Sequence, residues 1–284
     1  MICKPNELNF TNKNISILIS GLPGVGKTTI ALSTKDVLLI DCDNGLSRVN
    51  PEHRRDASVC KTYEEVRTDI ESAKGHYKTI VIDTCGALIE YLKDWAVRTD
   101  AKASKAGGGI SLQGYGLVKQ EFKRLAQDIQ NNFNVVYLFH ETKEKNQDDI
   151  FYDIICEGAA KTIVWQPMDL AAHLHILNGE RYLGFTPTAQ YNAKSAYGIK
   201  GLVKVPELEP GQPNDFLDKL FAKIRENLNA ETKQLNADTE QYKKALAEGM
   251  RLINECEKPN DFVLTADFIK NQICYINILI TCSY

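Results

Sequence analysis

Residues 21–29 read GLPGVGKTT, which matches the phosphate-binding loop pattern G-x-x-x-x-G-K-[ST] at Gly21, Gly26, Lys27 and Thr28. The flanks of the motif suit it. Ile15, Ile17, Leu18 and Ile19 form an apolar run of strand character just upstream, and Thr28-Thr-Ile-Ala-Leu reads as the first turns of a helix. A strand that ends in a glycine-rich turn and passes into a helix aims several backbone N–H groups at one anion. The spacing therefore assigns Gly21, Leu22, Pro23, Gly24, Val25, Gly26, Lys27, Thr28 and Thr29 to the binding of a nucleoside triphosphate. Lys27 is the residue to reach the β- and γ-phosphates, and the Thr28 hydroxyl is a ligand for Mg²⁺.

A loop of this kind belongs at the carboxyl edge of a parallel sheet, and the rest of the chain supplies one. Runs of strand character recur at 15–20, 37–41, 79–83 and 135–139, with helical patterns between them. Thr62-Tyr-Glu-Glu65 is a capping box that opens a helix running toward Lys74. Val118, Phe122, Leu125, Ile129 and Phe133 recur at helical spacing, an apolar stripe made to pack on a sheet. Strands alternating with helices imply crossover units, hence an α/β fold with a mainly parallel sheet. After residue 165 the pattern changes. Runs at 170–177 and 181–185 are joined through Asn178-Gly179, a hairpin signal, and 202–205 adds a further strand, so antiparallel strands extend the parallel core. PELEPGQPND, from Pro206, reads as a linker. Beyond it, 216–228 and 231–256 are charged helical patterns. The expected division is a nucleotide-binding domain over 1–206 and a linker with helical extension over 207–284.

Composition narrows the class. A net charge of −3 over 284 residues leaves no broad basic surface, so any contact with nucleic acid is local or built by oligomerisation. No signal peptide is read in MICKPNELNF, no segment has the length of a membrane span, and CYINILITC near the end is too short for one. It reads instead as a terminal strand or packed helix. None of the eight cysteines stands in a C-x-x-C pair, which argues against zinc and for a reduced, cytoplasmic setting.

Three further segments complete a nucleotide-hydrolysing site. Ile80-Val-Ile-Asp83 is an apolar strand ending in an acid, the pattern of a Walker B aspartate, whose carboxylate would hold Mg²⁺ together with Thr28. Asp41 and Asp43, at the end of the run 37–41, point the same way along an extended chain. Asp43 is the candidate catalytic carboxylate, with Asp41 structural or close to Mg²⁺; an Asx-type turn is the plainer account of the same residues. His140, following the buried run 135–139, is a candidate sensor of the γ-phosphate. His173 and His175 share one side of a strand without a carboxylate or cysteine nearby in sequence, and read as structural.

These segments together resemble the RecA-type ATPase core. Ile82-Asp-Thr-Cys-Gly-Ala-Leu88 is similar to its Walker B segment, and Ile40-Asp-Cys-Asp-Asn-Gly-Leu46 to the segment that carries its catalytic glutamate, here the shorter Asp43. His140 falls where the family usually places a glutamine sensor. The match is closer to phage-encoded RecA-like nucleotide-binding proteins, on the phosphate loop, the V-I-D-T strand, the His-Glu after the fourth strand, Phe185-Thr-Pro-Thr and Ala193-Lys-Ser-Ala-Tyr-Gly198. Against the Lys-Asn-Arg-Phe-Gly motif of related RadA-type proteins, this chain keeps Lys194 and Gly198, has Tyr197 for the aromatic and lacks the asparagine and arginine.

The resemblance covers residues 13–205. It implies a RecA-like P-loop NTPase fold, a Mg²⁺-dependent ATPase acting on single-stranded DNA in phage recombination or replication, in the cytoplasm of a bacterial host. The implied partners are further copies of the chain, single-stranded DNA and a single-strand-binding protein. It also implies that the loops 101–116 and 142–161 face DNA. The first, with Lys102 and Lys105, could follow a phosphodiester backbone; the second mixes Lys143 and Lys145 with Asp148, Asp149 and Asp153 and is hardly a basic patch, while its Phe151 and Tyr152 could stack on bases, a disordered loop with incidental aromatics being the alternative. Lys194 is left as the one cation to serve a neighbouring subunit. The alternative is a nucleotide-gated assembly factor with slow turnover, since Asp43 is short and the arginine is missing. A small-molecule kinase fits less well without an arginine-rich lid, and a GTPase less well still without Asn-Lys-x-Asp.

Overall fold

The computed structural model describes residues 9–105, 107–146, 149–156, 160–208, 211–255 and 270. They form two compact units, one within 13–224 and the other made of 9–12 with 225–255 and 270. The first begins with β1 (Ser16–Gly21) and, after the phosphate loop, the short α1 (Lys27–Ala31). It continues with β2 (Val37–Asp41), β3 (Ala57–Val59), α2 (Tyr63–Ala73), β4 (Thr79–Asp83), α3 (Cys85–Thr99) and α4 (Leu112–Asn132). Next come β5 (Asn134–Asn146), β6 (Asp149–Ile154), α5 (Ala160–Ile163), β7 (Leu170–Leu177), β8 (Glu180–Gly184) and β9 (Leu202–Val205). The last element, α6, spans Phe216–Asn254.

The sheet runs β3-β2-β4-β5-β1-β7-β8-β9, with β6 paired to β5 outside that path. From β3 to β7 every pairing is parallel; β8, β9 and β6 join antiparallel. This is the expected α/β class, a mainly parallel sheet flanked by helices and extended by antiparallel strands. Strands β1, β2 and β4 are buried along their whole length, which explains why they read as unbroken apolar runs rather than alternating ones. The stripe Val118, Phe122, Leu125, Ile129 and Phe133 is buried as its spacing predicts, and Phe122 meets the Tyr137 ring of β5 at 6.2 Å. Thr62 caps α2 by accepting from the Glu65 amide, and the Glu65 carboxylate turns back to the Lys61 amide. Cys42, Cys60 and Cys85 are buried, and burial pushes each thiol above its ordinary range.

The structure departs from the sequence reading in three places. Within 142–161, residues 142–146 and 149–154 are strand rather than loop: β5 runs on to Asn146 and β6 returns beside it, pairing Thr142 with Asp153 and Lys143 with Tyr152. The alternation Ile150, Tyr152, Ile154 carries that hairpin. The loop 101–116 closes early, because Ser111 accepts from the Gly114 amide and starts α4. The two C-terminal helical patterns are one element, α6, since no glycine or proline stands between 228 and 231 to break it. CYINILITC lies outside the described residues. Among those residues, no helix is long and apolar enough to cross a membrane.

In the second unit the helix from Arg225 is laced by its own charges, Lys243 to Glu240 and Arg251 to Glu248 and Glu255.

Because Phe122 is enclosed by the sheet face, truncation leaves a hole the strands cannot close. Phe122→Ala is expected to lower unfolding free energy by about 3–5 kcal/mol, against about 1 kcal/mol for Thr62→Ala at the cap of α2. Urea unfolding of the two variants checks the order.

Candidate functional site

The site assembles at the carboxyl ends of β1, β2 and β4 and beside the middle of β5. The loop turns through Gly24 (φ 81°) and Gly26 (φ 96°), left-handed conformations that place its amides on the inner side and that side chains disfavour. Lys27 follows and is nearly enclosed, 5% exposed. Its Nζ donates to the carbonyls of Gly21 and Leu22 at 2.8 and 2.9 Å. Burial lowers its pKa to about 8, against the pull of Asp83, Glu141 and Asp43, which raise it.

At the next residue, the Thr28 hydroxyl donates to Asp83 Oδ2 at 2.6 Å. This bond ties the loop to the end of β4, two strands away across β5. Asp83 is buried, and burial raises its pKa. The Thr28 bond opposes that rise, and the charges of Asp43 and Asp41 add to it. The Asp83–Thr84 peptide bond is cis.

β5 stands between these strands with His140 in register with Gly21. The ring bridges the site: Nδ1 lies 3.2 Å from Lys27 Nζ, and Nε2 lies 3.4 Å from Asp43 Oδ2. An ammonium only donates, so Nδ1 is the acceptor and the neutral ring carries its proton on Nε2, toward the carboxylate. The hydrogen bond from His140 is the chief cause that holds Asp43 below its ordinary pKa. Partial burial works the other way, while the charges of Arg48 and Lys27 lower it further.

Asp41 and Asp43 do different work. Asp41 accepts from the Gly45 and Leu46 amides at 2.8 and 2.9 Å, so it builds the turn after β2, as the Asx-type reading has it. Tyr91 of α3 fastens the same turn by donating to the Cys42 carbonyl at 2.6 Å. Asp43 is thereby left facing His140, with Arg48 NH2 3.4 Å from its other oxygen. Sequence reasoning gave Gly45 and Arg48 no part. A Cβ on Gly45 would stand 3.0 Å from Asp43 Oδ1 and 3.1 Å from Arg48 NH2, so glycine lets these groups close on one another.

Of the residues singled out from the sequence, Lys27, Thr28, Asp83, Asp43 and His140 stand in one connected cluster. Lys194 does not join it. Its backbone bridges Ala171 and its Nζ donates to the Met168 carbonyl, at the end of the sheet where β1 begins. His173 has the carboxylate partner that its neighbours in sequence do not supply: Glu141 of β5, with Nδ1 3.0 and 2.9 Å from the two oxygens. The ring also stacks on Tyr191 at 4.4 Å and meets Tyr152 at 5.0 Å, so Tyr152 is engaged within the protein. Among the described residues, no group of three His, Cys, Asp or Glu side chains is placed to hold a metal ion unaided.

Residues 13–197 match the family described as AAA domain. No curated protein matches the chain. Among the solved structures that are similar over part of its length are two ATPase-related or accessory proteins of secretion and flagella. One is a prototypical ATPase from the type III secretion system of pathogenic bacteria, at 12% identity and a TM-score of 0.38, covering 57% of this chain and 52% of that one. The other is the flagellar accessory protein FlaH from Methanocaldococcus jannaschii, at 11% identity and a TM-score of 0.31, covering 68% of this chain and 90% of that one. The chain thus spans about half the length of the secretion ATPase.

The lowered pKa of Lys27 has a measurable signature. Between about pH 8 and 10.5 the unfolded chain keeps a proton that the folded one has lost, so stability contributed by this residue rises with pH across that window and is flat below it. Relative to Lys27→Met, the unliganded wild type is expected to gain about 2 kcal/mol between pH 7 and 10. Urea titrations of both proteins at the two pH values measure the difference; parallel curves would show that the ammonium is not desolvated.

Proposed function

From the premise that the chain belongs to the AAA-domain family, we propose that it binds ATP in the loop 21–29 and hydrolyses it in the presence of Mg²⁺. The observation that supports this most is the connected series Lys27, His140, Asp43, with Thr28 on Asp83, at the mouth of the phosphate loop. Lys27 is held by two loop carbonyls and shares its remaining donor capacity with His140, and these are the donors that phosphate oxygens would take. Thr28 and Asp83 suit Mg²⁺: a hydroxyl meets a buried carboxylate whose charge lacks solvent. Two protein oxygens are what this ion takes when phosphates and water complete its shell. When bound, the ion neutralises charge on the phosphate oxygens. Asp43 stays ionised at neutral pH and accepts the proton of the attacking water, while His140 fixes the carboxylate's position and links it to Lys27.

The polymer assigned to this ATPase is single-stranded DNA, in phage recombination or replication, with further copies of the chain and a single-strand-binding protein as partners. Support for that part comes from the sequence resemblance and from the β5–β6 hairpin, whose Lys143 and Lys145 are exposed. A second reading, a nucleotide-gated assembly factor, is favoured by one contact: Arg48 already engages Asp43, itself a short carboxylate for the task.

Hydrolysis of ATP with and without single-stranded DNA separates the two. Stimulation that vanishes in Lys27→Ala supports the ATPase; binding without stimulated turnover, together with ATP-dependent change in subunit mass, supports the assembly factor. Asp43→Asn is expected to lower kcat by about 10²–10⁴ with ATP affinity within about threefold of wild type. An unchanged kcat would remove Asp43 from the chemistry.

A further inference from the structure

A guanidinium stands on the outer side of the phosphate loop. Arg181 lies on β8, opposite Ile176 of β7 and Val205 of β9. β7 runs tightly along the start of the loop, since a Cβ on Gly21 would stand 2.9 Å from the Leu174 carbonyl oxygen. The hairpin then turns at Asn178-Gly179, both at positive φ, and brings Arg181 to the far limb of the loop. There its Nε donates to the Val25 carbonyl at 3.0 Å. A Cβ on Gly26 would come within 3.3 Å of the same nitrogen, so the close approach depends on that glycine.

With Nε engaged, four N–H donors remain on the two terminal nitrogens. No carboxylate among the described residues pairs with them. Arg48, Arg67, Arg98 and Arg124 each have one within 3.6 Å. The acid next to Arg181 in the chain, Glu180, is taken by Lys204 and by the Tyr182 hydroxyl. An uncompensated planar cation is thus fastened to a loop whose backbone is shaped to receive an anion, and its fork matches phosphate oxygens.

Strand order says which phosphates. β2, β4 and β5, with Asp43 just past β2, Asp83 at the end of β4 and His140 midway along β5, lie on one side of β1; β7 and β8 lie on the other. A phosphate chain seated across the end of β1 has its terminal γ-phosphate by the carboxylates and His140. Its nucleoside end then lies on the side of Arg181. We propose that Arg181 is a second cationic ligand of the bound nucleotide, supplied by the same chain, gripping the α- and β-phosphates and so holding the diphosphate product as firmly as the triphosphate. This rests on the loop being the ATP site.

Calorimetric titration of the full chain with ATP, ADP and pyrophosphate tests it, on wild type, Arg181→Ala, Arg181→Lys and Lys27→Ala. Arg181→Ala is expected to weaken all three ligands by a similar factor, about tenfold. Arg181→Lys should recover part of the loss, with the melting temperature of both variants unchanged. Unchanged ADP affinity in Arg181→Ala overturns the inference. So does a loss confined to ATP, which would move the contact to the γ-phosphate, or a loss that spares pyrophosphate, which would move it to the nucleoside. Lys27→Ala keeps the two levels apart. If it binds ATP like wild type, the ATP site itself is misplaced; if it loses ATP while Arg181→Ala keeps ADP, only the role of Arg181 falls.

Discussion

β5 is hydrogen-bonded along both edges, to β1 from Ser16↔Val135 to Gly21↔His140 and to β4 from Thr79↔Asn134 to Asp83↔Leu138. The site depends on that double ladder. A shift of one residue in either register would turn His140 to the other face of the sheet, away from Lys27 and Asp43. The ladder also sets the reach of Thr28, which must cross the width of β5 to meet Asp83 at 2.6 Å. That single bond joins a flexible glycine-rich loop to the most buried part of the sheet, so the loop is held in shape by a strand two places away.

Charge is arranged to the same end. Lys27 loses more by burial than nearby carboxylates return, which leaves its pKa at about 8. Asp83 is pushed upward by burial while Asp43, better hydrogen-bonded, is held down. Two carboxylates beside the same loop thus have opposite tendencies, one short of a cation and one stably ionised. Environments that separate neighbouring acids in this way are what divide metal binding from proton transfer.

Much of this was legible from the residues, and the exceptions have physical causes. β2, β4, β7 and β9 were read to the residue: β2 and β4 because fully buried strands are continuous apolar runs, β7 and β9 because Asn178-Gly179, Gly201 and Pro206 mark where they stop and start. Asp41 shows the limit of such reading. Both it and Asp43 point toward the nucleotide side, but only the structure shows Asp41 spending its oxygens on two amides of the following turn. The carboxylate partner of His173 lies 32 residues away on another strand, so no local spacing reveals it. Arg181 escaped notice for a related reason: it sits in a short exposed strand with no motif around it, and acquires meaning only when the hairpin is folded beside the loop. The hairpin of β5 and β6 was missed although its alternation was present, because its lysines and acids read as a solvated loop.

The two sides of β1 are chemically unlike, and that asymmetry follows from topology rather than from any one side chain. On the β5 side the strands deliver carboxylates and an imidazole, groups that bind cations and move protons. On the β7 side the antiparallel hairpin delivers a lone guanidinium to the carbonyl of Val25. Ligands of such sheets sit outside the carboxyl ends of the parallel strands, so the acids converge from β2 and β4 and the imidazole from β5 between β4 and β1. An antiparallel hairpin returns along its own path and can place a side chain beside the loop instead of above it. The added strands β8 and β9, superfluous to the parallel core, therefore carry a contact that the core strands have no geometry to make.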